Sequence, residues 1–213
     1  MSARDAAARA KRATTSADIH ELITSRWSSR AFDSRPIEPA AWRQLFEAAR
    51  WAPSSANEQP WRFVLIAREN TAEFSAATGC LNAGNQRWAP AAAALVVTAV
   101  NRTLTKSGAP NRWAWHDMGQ AIANFAFQAT ALGLVVHQMA GFDVDAVRAA
   151  VGMPTEFEPV TIVAVGYPGD PDLLAEPDRV RELEPRKRHP LNAFVFAGRW
   201  GRAFGGGTGE GGR

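Results

Sequence analysis

The sequence predicts an α+β fold, and three observations lead there. Residues 113–132 carry Met118, Ile122, Phe125, Ala129 and Leu132 at spacings of three and four, the stripe of one long core helix. Three apolar runs, Phe63–Ala67, Ala91–Val100 and Val160–Tyr167, have the length and composition of buried strands. Helical and strand patterns then follow one another without a regular strand–helix–strand alternation, which disfavours a parallel doubly wound sheet.

The remaining elements follow in order. Residues 1–17 are small, polar and charged, and read as a flexible tail. Thr15 with Asp18 three positions later resembles a capping box for a short helix through Ser25. Pro39 suits a first helical turn, and Trp42, Leu45, Phe46 and Ala49 continue that helix until Pro53 forces a stop near Trp51. A helix is expected over residues 71–78. Residues 101–112 are rich in Asn, Thr, Lys, Gly and Pro, which marks a loop or lid. Gly133 ends the long helix, and Asp143 caps another that ends at Gly152. Residues 168–190 read as an extended Pro-rich arm, followed by a short strand over Ala193–Ala197. A polar arm leading to an apolar strand suggests a C-terminus wrapped around a partner subunit. The domain is therefore expected over 18–200, with a disordered Gly-rich tail at 201–213.

Composition removes several functional classes. The chain has 213 residues, of which 46% are hydrophobic and 21% charged, so a folded globular protein is expected. A formal charge of +3 argues hardly at all for nucleic acid, and the aromatic residues are not interleaved with the basic ones. The single Cys80 excludes an internal disulfide and a multi-cysteine metal site. His20, His116, His137 and His189 lack metal-ligand spacing, so no metal is expected. His116 and Asp117, adjacent on a helix, are expected to point to different faces. No apolar run reaches the length of a membrane span, and no secretory leader is visible, so a cytoplasmic location is expected. Gly207-x-Gly209-x-x-Gly212 matches a dinucleotide fingerprint only formally, because no strand precedes it and no helix follows it.

Three polar segments remain as candidates. Arg26, Ser28 and Arg30 place two guanidinium groups beside a hydroxyl, a set able to hold a phosphate. Ala52–Trp61 is a loop stiffened by Pro53 and Pro60 that offers Ser54, Ser55, Asn57 and Gln59 as neutral hydrogen-bonding groups. Arg186–Lys187–Arg188 is a basic triplet far away in sequence.

These segments, in this order, resemble the nitroreductase family. The residues that carry the resemblance are Arg26–Phe32 and Pro36–Ile37, Pro53–Phe63, Asn85 before Trp88–Ala89–Pro90, Ala131–Leu134 leading to Gly141–Asp143, and Arg186–Leu191. The resemblance implies a central sheet flanked by helices and a homodimer with an exchanged C-terminal arm. Two FMN sites would lie at the subunit interface. By position it implies that Arg26, Trp27, Ser28 and Arg30 contact FMN, with Arg26 on the phosphate. Arg186 and Arg188 would meet the phosphate or pyrimidine edge. Pro53, Ser54, Ser55, Asn57 and Gln59 would line the ring from the other subunit. Asn85, Ala140 and Gly141 would lie at the ribityl chain and ring edge. Many relatives carry an acidic residue where Ala140 stands and others a lysine where Trp88 stands, so the substrate class is left open.

The implied reaction takes hydride from NAD(P)H to flavin and on to a nitroaromatic, quinone or activated alkene, with ping-pong kinetics. The flavin carries the chemistry, so no catalytic side chain is required, and Arg30 is the candidate for stabilising the charge of the reduced ring. Trp113 and Trp115 are candidates for stacking on an aromatic acceptor, and His116 or His137 for a proton donor. Alternatives are a related flavoenzyme for reductive dehalogenation or flavin breakdown, or a non-catalytic flavin-binding protein.

Overall fold

The computed structural model describes residues 2–204. In chain order the elements are α1 (Ala3–Lys11), α2 (Glu21–Ser25), β1 (Phe32–Asp33), α3 (Pro39–Arg50), β2 (Trp61–Ala67), α4 (Thr71–Gly79) and α5 (Ala83–Gln86). There follow β3 (Ala94–Asn101), α6 (Ala114–Ala131), β4 (Val135–Met139), α7 (Val144–Ala150), β5 (Phe157–Pro168) and α8 (Asp178–Leu183). The fold is α+β, with one antiparallel sheet flanked by helices. β3 lies between β2 and β5, and β5 also pairs with β4 along its middle and with β1 at its end.

The centre of the sheet is buried on both faces, which explains why β3 reads as a continuous apolar run. Side chains alternate between two cores. Val96, Val100, Val163 and Val165 pack against α3 and α6 on one face. Leu95, Val97, Ile162 and Ala164 face the layer that contains Phe74 of α4 and Val147 of α7. Phe125 of α6 is fully buried, and its ring meets Phe46 of α3 edge-on at 5.5 Å. Truncating it to alanine would cost about 3–5 kcal/mol. Gly133 takes a positive φ of 71° and lets the Leu134 amide return to the Ala129 carbonyl at 2.8 Å, which closes α6.

Several expectations need correction. Residues 3–11 are helical, because Ser2 and Asp5 form a reciprocal capping box ahead of an alanine-rich run. Thr15 caps nothing; α2 starts later, where His20 Nδ1 accepts the Leu22 amide at 3.2 Å. Residues 168–190 are not simply extended, since a 3-10 turn over Pro171–Leu173 and α8 interrupt them. Residues 193–197 form no strand; a 3-10 turn covers Leu191–Ala193, and Phe196 makes a single bridge to Ala203. The sequence reading omitted two strands. β1 is only two residues long, and His137 with Gln138 interrupts the apolar pattern of β4. Most of the glycine-rich tail lies outside the described residues.

Candidate functional site

The segment Arg26–Arg30 follows α2 and is gripped from behind by α8. Glu182 is almost fully buried, and its carboxylate accepts three hydrogen bonds. Trp27 Nε1 donates to Oε1 at 3.1 Å, Ser29 Oγ donates to the same oxygen at 2.6 Å, and the Arg30 amide donates to Oε2 at 2.8 Å. Trp27 and Ser29 are thus turned to Glu182, and the intervening Ser28 stays exposed. One turn before Glu182, the buried Asp178 accepts from Arg87 Nε at 2.8 Å and lies 3.6 Å from Arg30 Nε. Its Oδ1 has no hydrogen-bond partner, so the Arg30 charge faces it across a loose ion pair.

Arg26, Arg186 and Arg188 line one cleft of about 540 Å³, together with Ile23, Phe127 and Phe194. Among the described residues no aspartate or glutamate lines it. Among the described residues none of the three arginines forms an ion pair. Burial, and then the Arg188 charge, pull Arg26 below the usual arginine value. Crowded guanidinium groups without a carboxylate fit a phosphate monoester, whose charge relieves their repulsion.

The three arginines are not equivalent. The Arg186 guanidinium donates to the carbonyls of Lys11, Arg26 and Thr24, which ties α1, α2 and the Arg26 turn together. It lines the cleft, but its donors face backbone. Arg188 makes only a local bond, Nη1 to the Lys187 carbonyl at 2.8 Å, and is exposed.

The loop between α3 and β2 folds on itself. Ser54 Oγ accepts the Gln59 amide at 3.1 Å, and Gln59 Nε2 donates to the Asn57 carbonyl at 3.2 Å. Ala56, Asn57 and Gln59 have φ of 52°, 57° and 50°, left-handed backbone that non-glycine residues adopt at a cost of about 1 kcal/mol or more each. Such strain persists where surrounding contacts impose it. Here the buried Asp117 of α6 accepts the Ser55 amide, and Glu58 accepts that of Thr105.

A third group lies beyond the end of β4. Asn85 Nδ2 donates to the Gly141 carbonyl at 3.3 Å, so Asn85 and Gly141 are neighbours. A Cβ on Gly141 would fall 2.0 Å from Asn82 Nδ2, so only glycine fits this approach. His137 sits nearby against Trp88, ring centroids 4.5 Å apart, and its Nδ1 donates to the Ser29 carbonyl at 2.9 Å. Burial lowers its pKa to about 4, against the opposing pull of the Ser29 carbonyl. A neutral imidazole with one N–H already engaged is a poor proton donor near neutral pH.

Trp113 and Trp115 are partly exposed at the start of α6, and Trp115 lines a second cleft with Arg102 and Arg112. Contrary to expectation, His116 and Asp117 do meet, Nδ1 to Oδ1 at 3.2 Å. Gln120 Nε2 lies 3.2 Å from the same nitrogen.

One chain therefore gathers Arg26, Arg186 and Arg188 in a single cleft and Asn85 with Gly141 in a second group. It does not bring the Ser54–Gln59 loop into that cleft. The sequence reading missed Asp117, Asp178 and Glu182. A signal existed for each. Asp117 falls on the apolar stripe of α6 shared by Ala114, Ala121 and Phe125, and Asp178 and Glu182 are spaced by four.

Fold and site together define a class: an antiparallel-sheet α+β protein with a cleft lined by three arginines. Residues 23–167 match the nitroreductase family model, and the chain belongs to the nitroreductase family. A crystal structure described as an FMN-containing oxidoreductase is 32% identical, with a TM-score of 0.83, covering 89% of this chain and 96% of its own. An NADH dehydrogenase of Thermus thermophilus is 26% identical over 208 residues, 84% of this chain and 95% of the relative. An uncharacterised 15.4 kDa protein of Mycolicibacterium smegmatis is 38% identical over 128 residues, 60% of this chain and 84% of the relative. The chain is an oxidoreductase.

Proposed function

We propose that the protein is a cytoplasmic, homodimeric FMN-dependent oxidoreductase. It takes reducing equivalents from NAD(P)H and delivers them to an electron-poor nitroaromatic, quinone or activated alkene. The observation that carries the reading is the cleft that holds Arg26 and Arg188 without a carboxylate. The FMN-containing relative at 32% identity supports FMN as the source of that phosphate.

Within this reading the residues have distinct tasks. Arg26 and Arg188 bind the FMN phosphate with charge-assisted hydrogen bonds, and exposed Ser28 adds a hydroxyl. Arg30 sets positive charge beside the pyrimidine edge, moderated by Asp178 at 3.6 Å. Asn85 and Gly141 border the ring edge. Bound FMN supplies a two-electron carrier between donor and acceptor. Donor and acceptor occupy the same site in turn, which gives ping-pong kinetics. Trp113 and Trp115 offer flat surfaces to an aromatic acceptor.

The Ser54–Gln59 loop completes the site from a second copy of the chain. Two features support a dimer with exchanged arms. Trp200 in the C-terminal segment is 89% exposed, and Phe194 is 60% exposed. Along α3, Trp42, Phe46 and Trp51 line an open, largely apolar groove of about 990 Å³ suited to such an arm.

The test is the visible absorption spectrum of the purified protein, with anaerobic addition of NADPH and then NADH. A flavin band that bleaches on either addition is expected. A protein that neither carries FMN nor takes it up on reconstitution would overturn the proposal.

A further inference from the structure

We propose that Glu182 is the positioning residue of the cofactor-binding segment, acting through Trp27, Ser29 and the Arg30 amide; this rests on the FMN reading above. Its carboxylate meets three neutral donors, and among the described residues no cation lies within ion-pair distance of it. At 1% exposure its direct partners are these three hydrogen bonds, with the buried Lys11 ammonium, seated on the neighbouring Arg181 carbonyl, adding positive charge at longer range. Those bonds pin residues on both sides of Ser28 and fix the backbone from which Arg26, Ser28 and Arg30 project.

The chemistry demands a carboxylate. Oε1 accepts from both Trp27 and Ser29 while Oε2 accepts from Arg30. An amide at this position would turn an N–H onto one of those donors whichever way it flipped. Glu182 lies on α8, beyond residues 23–167, the portion that matches the family model. Asp178, four residues earlier on the same face, applies the same logic to the Arg30 side chain rather than its backbone.

The experiment titrates FMN-stripped wild type, Glu182→Gln and Ser29→Ala with FMN, following flavin fluorescence quenching. Urea unfolding of the apoproteins and visible circular dichroism at saturating FMN accompany it. Glu182→Gln is expected to bind FMN about tenfold more weakly or worse, the scale of a lost hydrogen bond to a charged group. Its flavin dichroism at saturation should differ from wild type, a change that mere destabilisation does not produce. Ser29→Ala removes one donor at nearly constant volume and should weaken binding about fivefold. If Glu182→Gln does not fold, the Ser29→Ala result decides alone. Unchanged FMN affinity and dichroism in the folded variants, even with lower apoprotein stability, would overturn the positioning role. Wild type that does not bind FMN would instead overturn the functional reading together with this proposal.

Discussion

Asp117 Oδ2 accepts the Ser55 backbone amide at 3.1 Å, across 62 residues of sequence. That one bond ties the first turn of the longest helix to a loop that carries three left-handed non-glycine residues. A buried acceptor of this kind holds a strained loop that its own φ preferences would relax. Asp117→Ala is therefore expected to lower stability by roughly 1.5–3 kcal/mol, the scale of hydrogen bonds to a charged group. It should also weaken FMN binding in the dimer. Urea unfolding and FMN titration would check both effects, and a variant equal to wild type in each would remove the role.

The two arginines of the basic triplet should separate cleanly. Arg186 faces three carbonyls from α1, α2 and the Arg26 turn, whereas Arg188 is exposed and only locally bonded. Arg186→Ala should lower stability by a few kcal/mol, since it leaves the part-buried carbonyls of Lys11 and Arg26 unpaired at about 1–3 kcal/mol per group, while the Thr24 carbonyl keeps the Ala13 amide. Arg188→Ala and Arg26→Ala should leave stability nearly unchanged and weaken FMN retention, by roughly 1.5–3 kcal/mol for Arg26. Thermal unfolding of the apoproteins beside FMN titrations resolves the pattern. The assignment would be reversed if Arg188→Ala unfolded early and kept its flavin.

His137 gives the fold a specific acid sensitivity. Burial holds its pKa at about 4, below the ordinary 6.5. As pH falls, the unfolded chain takes the proton first and is favoured by it. The stabilisation is fully present above about pH 6.5 and is lost as pH falls to about 4, on the order of 3 kcal/mol in all. Carboxylates add their own acid dependence, so the comparison must be with His137→Gln. The variant should lose less stability than wild type between pH 7 and pH 4.5 in urea titrations. Parallel losses in the two proteins would contradict the buried neutral imidazole.

How much of this was legible in the sequence depends on whether the cause was local. The long helix was readable because Met118, Ile122 and Phe125 recur on one face, and the central strand because it is buried on both sides. Asn85 and Gly141 were singled out only by a resemblance in order and spacing, and the hydrogen bond between them had no sequence signal. The roles of Asp117, Asp178 and Glu182 did not, because each depends on a partner more than 60 residues away. An acidic residue in a charged, proline-containing stretch looks solvated until the chain folds and buries it. The same holds for Arg186, whose carbonyl partners carry no sequence signature at all. The helix at residues 3–11 was hidden differently, since its alanines make a good helix but a weak apolar stripe.

Gly141 offers the sharpest steric test. An alanine Cβ there would lie 2.0 Å from Asn82 Nδ2 and 3.3 Å from Asn85 Nδ2. Asn82 is not free to move without consequence, because its Oδ1 accepts the Asn85 amide at 2.9 Å and so caps α5. Displacing it breaks a cap that contributes about 1 kcal/mol and shifts Asn85 with it. Gly141→Ala is thus expected to cost about 1 kcal/mol or more in stability and to alter the environment of the flavin ring edge. The visible flavin spectrum of the reconstituted variant should differ from wild type in band shape, whereas Gly79→Ala, with open space around its Cβ, should not change it. Identical spectra for Gly141→Ala and wild type would place the ring edge elsewhere and detach Asn85 and Gly141 from the site.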